Sequence, residues 1–120
     1  MASYKDMTVY QKAFGLAMDI FEISKRFPKE ETYSLTDQIR RSSRSVCTNF
    51  AEAYRKRKYV AHFVSKLTDS DSENSETDVW IEFAFACKYV VAEEHQSLLG
   101  RNIEVGKMLG HMIQNPEKYL

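Results

Sequence analysis

The eleven-residue stretch TDSDSENSETD, residues 68–78, decides the fold because it can be interpreted as a loop or as a helix. It contains no apolar side chain, which is typical of a connection between helices. Three of its acidic residues also have the spacing of the first ligands in a calcium-binding EF-hand loop. That loop requires glycine and glutamate where this chain has Asn74 and Trp80, so an EF-hand is excluded. The flanking sequence must decide between loop and helix.

The charges around this stretch are segregated along the chain. Residues 40–66 contain eight lysines and arginines and one glutamate, a net charge of +7. Residues 67–82 contain six acids and no cation, a net charge of −6. If residues 35–57 and 59–90 are helices that form an antiparallel hairpin, these opposite charges face each other. The segregation therefore favours a helix for the acidic stretch.

The register of this hairpin follows from its turn, which we place near Lys58 and Tyr59. Facing positions then have residue numbers that sum to about 117, taking each helix to rise about 1.5 Å per residue. The inward seam of the second helix consists of residues spaced three and four apart: Phe63, Leu67, Ser70, Asn74, Thr77 and Ile81. We expect the small polar members of this seam to form hydrogen bonds across the core.

The far end of the hairpin contains five candidates for structural ion pairs: Arg40, Arg41, Arg44, Glu73 and Glu76. In the predicted register Arg44 faces Glu73, and Arg41 faces Glu76. A partly buried pair of this kind contributes to register more than to stability, because desolvation offsets much of the attraction.

Two further helices are predicted at residues 4–26 and 93–114. Apolar side chains cover roughly 220° of the first helix, whereas an ordinary surface helix needs a stripe of about 100°. This helix is therefore expected to pack on two sides, against its own bundle and against another subunit. The fold class is all-α: an up-down antiparallel four-helix bundle that forms a single domain over residues 1–120. Cys47 and Cys87 are expected to be reduced thiols buried in its core.

The composition limits the possible partners and the compartment. The 120 residues contain 17 Lys and Arg and 17 Asp and Glu, so the net charge of zero argues against coating nucleic acid by bulk charge. No apolar run reaches the roughly 18 residues of a membrane span, and the first ten residues lack a signal-peptide core. We therefore predict a cytoplasmic protein with no membrane partner.

Four consecutive cations, Arg55, Lys56, Arg57 and Lys58, lie at the predicted helix end. One interpretation is a solvated turn without a function. The other is a cluster that contacts phosphates, with the flanking Tyr54 and Tyr59 stacking on bases. The sequence leaves both interpretations open.

The segments YKDMTVYQKA, FPKEETYSLTDQIRRSSRSVCTNFAEAYRKRK and SETDVWIEFA resemble the four-helix proteins encoded in intervening sequences of bacterial 23S ribosomal RNA. The resemblance spans Tyr4 to Met112, and its most specific part is QIRR at 38–41 followed by NFAE at 49–52. The chain has Cys47 where the family often has proline, and alanine at position 53 where the family often has glycine.

This resemblance implies an up-down four-helix bundle and a ring-like homo-oligomer, a pentamer. The genetic setting of the family suggests association with RNA. Related bundles are accessory proteins of diversity-generating retroelements, in which a basic surface is interpreted as binding nucleic acid. The resemblance implies no enzyme activity.

No other pattern in the chain predicts catalysis or a cofactor. A di-iron bundle needs a glutamate three residues before each ligating histidine, and His62, His95 and His111 all lack it. We predict neither a metal nor another cofactor. Arg57 and His62 match the Arg-x4-His spacing of HEPN-type ribonucleases. Such a spacing arises easily by chance, so His62 is interpreted as a surface residue and the protein as a non-enzyme.

Three functions therefore remain, in decreasing order of support. The first is an oligomeric bundle that associates with RNA, or with a nucleic-acid-processing protein in a nucleoprotein complex. The second is a protein–protein scaffold with no nucleic-acid role, and the third is a HEPN-like ribonuclease.

Overall fold

The structure, a computed structural model, describes residues 2–120, and all regular structure in that range is helical. The four α-helices are α1 (Thr8–Ser24), α2 (Leu35–Arg55), α3 (Val60–Ala86) and α4 (Ala92–Gln114). Short 3₁₀ turns lie at Tyr4–Asp6, Lys29–Glu31 and Pro116–Lys118. Each predicted helix is present, with ends that differ by a few residues from the predicted ones.

The helices pack in the order in which they occur in the chain. Each packs against the next, and α1 packs against α4, which closes the bundle. The molecule measures 44 × 25 × 23 Å, as expected for helices that lie alongside one another. The predicted four-helix bundle is confirmed. None of the helices in residues 2–120 combines the length and the apolarity needed to cross a membrane.

The acidic stretch is helical, as the charge pattern predicted. Residues 68–78 lie inside α3, which continues for 27 residues without a break. All six residues of the predicted seam are buried, and Ala84 extends it by one more turn. The stretch is helical although it contains no apolar residue, because its inward-facing polar residues have helical spacing.

The register of the α2–α3 hairpin also agrees with the prediction. Ser70 Oγ donates a hydrogen bond to the carbonyl oxygen of Val46 at 2.7 Å, and Thr77 Oγ1 donates to Ser42 Oγ at 2.8 Å. These contacts join residues whose numbers sum to 116 and 119, close to the predicted value of about 117. The small polar residues of the seam thus form the expected hydrogen bonds across the core.

Two apolar clusters fill the core, one at each end of the bundle. Phe50, Phe63 and Leu109 lie in the cluster near the α2–α3 turn. Ile39 and Ile81 lie in the cluster at the opposite end. On α2, α3 and α4 the segment between the clusters contributes buried polar residues, which we call the polar layer: Ser42, Ser43, Ser70, Asn74, Thr77 and Asn102.

The polar layer also joins α3 to α4. Asn74 Nδ2 donates to the carbonyl oxygen of Asn102 at 3.1 Å, and Asn102 Nδ2 donates to that of Asn74 at 2.9 Å. Gly106 makes room for this pair, because a Cβ atom there would lie 2.8 Å from Asn74 Nδ2. Asn74 Oδ1 is buried without a hydrogen-bond partner, and it is the one fully buried side-chain polar atom of the layer in this state.

The two cysteines differ, which corrects one prediction. Cys47 is buried, and that burial raises the pKa of its thiol to about 11. Cys87 is exposed instead of buried. Cys87 lies four residues after Phe83 on the outward side of α3, where Phe83 is 53% exposed, so helical spacing places Cys87 at the surface. The helix itself ends at Ala86 and not near residue 90, because Lys88 adopts a left-handed conformation with φ of 65°. The sequence does not predict this helix end, because the left-handed conformation is usually adopted by glycine and position 88 is a lysine.

Candidate nucleic-acid interface

The connection between α2 and α3 presents the four consecutive cations, and we call Arg55–Lys58 the basic turn. The chain reverses tightly here: the Lys56 amide donates to the Ala53 carbonyl at 2.9 Å, and the Tyr59 amide donates to the Lys56 carbonyl at 2.8 Å. Arg55, Lys56 and Lys58 are exposed, and Arg57 is half-buried. Because the residues are consecutive in a turn, their side chains spread over the end of the bundle.

No acidic side chain in residues 2–120 forms a salt bridge with any member of the basic turn. Glu52, the nearest acid in sequence, instead lies 2.8 Å from Lys66 Nζ on α3. The hydrogen bond from Lys66 is the main cause that lowers the pKa of Glu52, and the charge of Lys56 adds a smaller effect. The turn therefore keeps a local excess of positive charge in a chain of zero net charge.

Arg57 differs from its three neighbours because it is held by the protein. Its Nε donates to the carbonyl oxygen of Tyr54 at 2.8 Å, and its guanidinium lies 3.6 Å from the centre of the Tyr54 ring. Tyr54 is only 8% exposed and packs against Phe50. The prediction that Tyr54 stacks on bases is therefore wrong, because the core and Arg57 cover its ring.

Tyr59 is the aromatic residue of this site that a ligand can reach. It is 59% exposed, and Lys58 Nζ lies 5.9 Å from the centre of its ring. The other neighbour of the ring is His62, which meets it edge to face at a centroid distance of 6.1 Å. One exposed aromatic ring beside several cations can stack on a base while the cations contact phosphates.

His62 is a surface residue near the start of α3, as the sequence predicted. In the part of the chain that the structure describes, no hydrogen bond joins it to Arg57, whose guanidinium is bound to Tyr54. The two residues of the Arg-x4-His spacing thus have separate partners. Among residues 2–120, no group of three or more His, Cys, Asp or Glu side chains is arranged to hold a metal ion.

Arg40 and Arg44 point towards α1 and not towards α3. Arg40 Nε donates to Ser24 Oγ at 2.7 Å, and its guanidinium lies 4.8 Å from the centre of the Phe21 ring. The Arg44 guanidinium lies 5.4 Å from the same ring. The face of Phe21 attracts both cations, a contribution from a third helix that the hairpin alone could not reveal.

The predicted ion pairs of Arg41 and Arg44 with Glu73 and Glu76 are therefore corrected. No salt bridge joins these residues within the described range, and Arg41 instead lies 3.9 Å from Asp37 on its own helix. Burial, followed by the nearby charge of Glu76, raises the pKa of Glu73. Both glutamates remain without a cationic partner at bonding distance.

A cleft of about 470 Å³ lies between the start of α1 and the end of α4. Its walls are mainly apolar, and its lining includes Met7, Val9, Met108, Met112, Lys107 and His111. His111 Nδ1 is hydrogen-bonded to Tyr119 Oη, which also lines the cleft. None of the predicted site residues lines this cleft, and sequence periodicity gave no signal for it.

A family model described as 23S rRNA-intervening sequence protein matches residues 5–111. The chain belongs to this family. A crystal structure of a protein with unknown function from the S23 ribosomal protein family of Bacteroides thetaiotaomicron superposes with a TM-score of 0.80. That protein is 28% identical in sequence, and the match covers 88% of this chain and 98% of the other. No curated protein gives a significant match. The family resemblance identified in the sequence is thus confirmed.

Proposed function

We propose that this protein is a non-enzymatic, cytoplasmic helical bundle that assembles into a ring-like homo-oligomer, a pentamer, and associates with RNA through the basic turn. The observation that carries the proposal is that Arg55, Lys56 and Lys58 are exposed and have no acidic partner among the described residues. Cations that stabilise a fold normally have such partners, whereas cations that bind phosphate present free donors.

The proposed site relies on local charge and on repetition. Each phosphate contact releases counterions, so a few exposed cations give weak, salt-sensitive binding. A ring presents one basic turn per copy, and several weak sites on one RNA molecule add through multivalency. This explains how a chain with equal numbers of cations and anions could hold RNA. The name of the family makes 23S ribosomal RNA the first RNA to test.

The test is a titration of purified protein with a structured 23S ribosomal RNA fragment at several salt concentrations. We expect binding at low salt, with log K falling by about 0.7 to 0.9 per phosphate contact for each unit of log salt. The variant Lys56→Glu/Lys58→Glu should bind at least tenfold more weakly. Its control is Lys29→Glu/Lys88→Glu, which has the same net charge but changes two exposed lysines at the opposite end of the bundle.

Light scattering on each variant shows whether the oligomer is intact, so a loss of binding can be assigned to the turn. Absence of binding by the wild-type protein at low salt would overturn the RNA association. If the two double variants lose RNA affinity equally, the binding depends on the overall charge of the protein and not on the basic turn. In either case the protein–protein scaffold becomes the preferred function.

The ribonuclease alternative has a separate test. Incubating the same RNA fragment with wild-type protein and with His62→Ala should leave the RNA intact in both. Cleavage by the wild-type protein that His62→Ala abolishes would contradict the non-enzymatic part of the proposal.

A further inference from the structure

The outward side of α1 carries an apolar stripe, which we define as Tyr10, Phe14, Met18 and Phe21. Phe14 is 49% exposed and Met18 is 45% exposed. Helical spacing places all four residues on one side of α1, and a cleft of about 260 Å³ between this stripe and α2 is lined in part by Arg44. This is the second apolar side that the wide arc of the first helix predicted.

The outward side of α3 carries a second stripe, which the sequence analysis missed and which we define as Glu76, Val79 and Phe83. Val79 is 48% exposed and Phe83 is 53% exposed. The two stripes cannot cover each other within one chain, because α1 and α3 both pack on α2 and on α4 and not on one another. Any cover for either stripe must therefore come from outside the chain.

The charges beside the two stripes are complementary. Arg44 lies beside the α1 stripe with its guanidinium over Phe21, and it has no acidic partner in residues 2–120. Glu76 belongs to the α3 stripe, and Glu73 lies one turn before it. Neither forms a salt bridge within the same range, and the cation whose charge acts on Glu73, Arg41, is paired with Asp37. An apolar stripe with a free arginine and an apolar stripe with free glutamates thus occur on one molecule.

These charges also lie at the same height along the bundle. The cross-helix bonds Ser70–Val46 and Thr77–Ser42 show that residues of α2 and α3 at equal height have numbers that sum to 116–119. Arg44 is therefore level with residues 72–75 of α3, within one residue of both glutamates. Rotation about an axis parallel to the bundle preserves height, so Arg44 of one copy would meet the glutamates of a neighbour in a ring.

We infer that the α1 stripe of one copy docks on the α3 stripe of the next, with Arg44 facing Glu73 and Glu76. The inference rests on the homo-oligomer proposed above and names its interface. Two different patches of the same chain meet, so the contact is head-to-tail. Such a contact excludes a two-fold dimer and forms a ring when the rotation between successive copies closes. A second copy is the occupant because each stripe has its complement in apolar character and charge on the same chain, and the complementary charges lie at the same height.

The test is a charge exchange followed by multi-angle light scattering at fixed protein concentration. Arg44→Glu and Glu76→Arg should each dissociate the oligomer towards the 14.0 kDa monomer, because each places like charges opposite each other. The double variant Arg44→Glu/Glu76→Arg should recover the mass of the wild-type oligomer. Lys107→Glu is the control, because this exposed residue of α4 belongs to neither stripe and should leave the mass unchanged.

Circular dichroism of each variant shows whether a loss of mass is a loss of fold. A wild-type protein that is monomeric would overturn both the ring and this interface. A wild-type oligomer that survives both single exchanges would overturn the interface alone and leave the ring standing. Dissociated single variants whose double variant stays monomeric would overturn the pairing of Arg44 with Glu76.

Discussion

The polar layer and the basic turn both include polar residues of the α2–α3 hairpin, but they differ in whether the protein itself supplies the partners of those residues. In the polar layer, Thr77 and Asn102 are at most 2% exposed and find their hydrogen-bond partners inside the same chain. In the basic turn, Lys56 and Lys58 are exposed and have no acidic partner in the described chain. Among the four side chains of the turn, only that of Arg57 forms a hydrogen bond to the protein within residues 2–120.

This difference separates polar residues that hold the fold from those that remain available to a ligand. Removing one partner of a buried hydrogen bond costs roughly 1–3 kcal/mol, because the group left behind has lost its water as well. Replacing an exposed cation that has no partner leaves the free energy of unfolding almost unchanged. Changes in the polar layer should therefore lower stability, and changes in the basic turn should lower RNA binding.

The largest expected effect is that of Asn102→Ala in the polar layer. The change removes the hydrogen bond to the Asn74 carbonyl and leaves a cavity, so the free energy of unfolding should fall by roughly 2–3 kcal/mol. Urea unfolding at one fixed protein concentration measures it, since assembly would otherwise alter the apparent stability.

The matched control is Asn49→Ala on α2. Asn49 is half-buried, and its amide donates only to the Ser45 carbonyl of its own helix. Its replacement should cost less than about 0.5 kcal/mol, because alanine also favours the helix. If both variants lower the free energy of unfolding equally, the cross-helix hydrogen bond of Asn102 contributes no more to stability than the local hydrogen bond of Asn49.

The second effect compares two glycines of α4. At Gly106 an added Cβ would lie 2.8 Å from Asn74 Nδ2, whereas at Gly110 it would meet nothing within 4 Å. We expect Gly106→Ala to destabilise the protein by roughly 1–2 kcal/mol, since it displaces a buried hydrogen-bonded amide. Gly110→Ala should instead stabilise it by about 0.5–1 kcal/mol through helix propensity. The same urea titration checks both signs, and stabilisation by Gly106→Ala would show that Asn74 is free to move.

Much of the polar layer could be predicted from the sequence, because helical periodicity fixes which side of α3 faces inward. Ser70, Asn74 and Thr77 fell into the predicted seam, and the hairpin register followed from one turn position. Tyr54 shows the same rule. It lies four residues after Phe50 and is buried beside that residue, so it is not available for the predicted stacking on bases.

The surface contacts could not be predicted in the same way, because they depend on a third helix or on a backbone dihedral. Arg40 and Arg44 turn to Phe21 on α1, although the hairpin alone suggested partners on α3. The end of α3 at Ala86 depends on the positive φ of Lys88, which side-chain periodicity does not indicate. A long, flexible lysine or arginine side chain can reach several neighbouring residues, and helical periodicity does not indicate which of them it contacts.

The smallest expected effect lies within the basic turn itself, between Arg57 and Lys56. Arg57→Gln loses the hydrogen bond to the Tyr54 carbonyl and the contact with its ring, so we expect a cost of about 1 kcal/mol in urea unfolding. Lys56→Gln should leave the free energy of unfolding unchanged to within about 0.5 kcal/mol. In the RNA titration, however, Lys56→Gln should lower the salt dependence by about one phosphate contact per copy engaged. A stability loss for Lys56→Gln equal to that of Arg57→Gln would show that Lys56 has a partner within the fold, and the division between structural and ligand-binding cations would then fail at this residue.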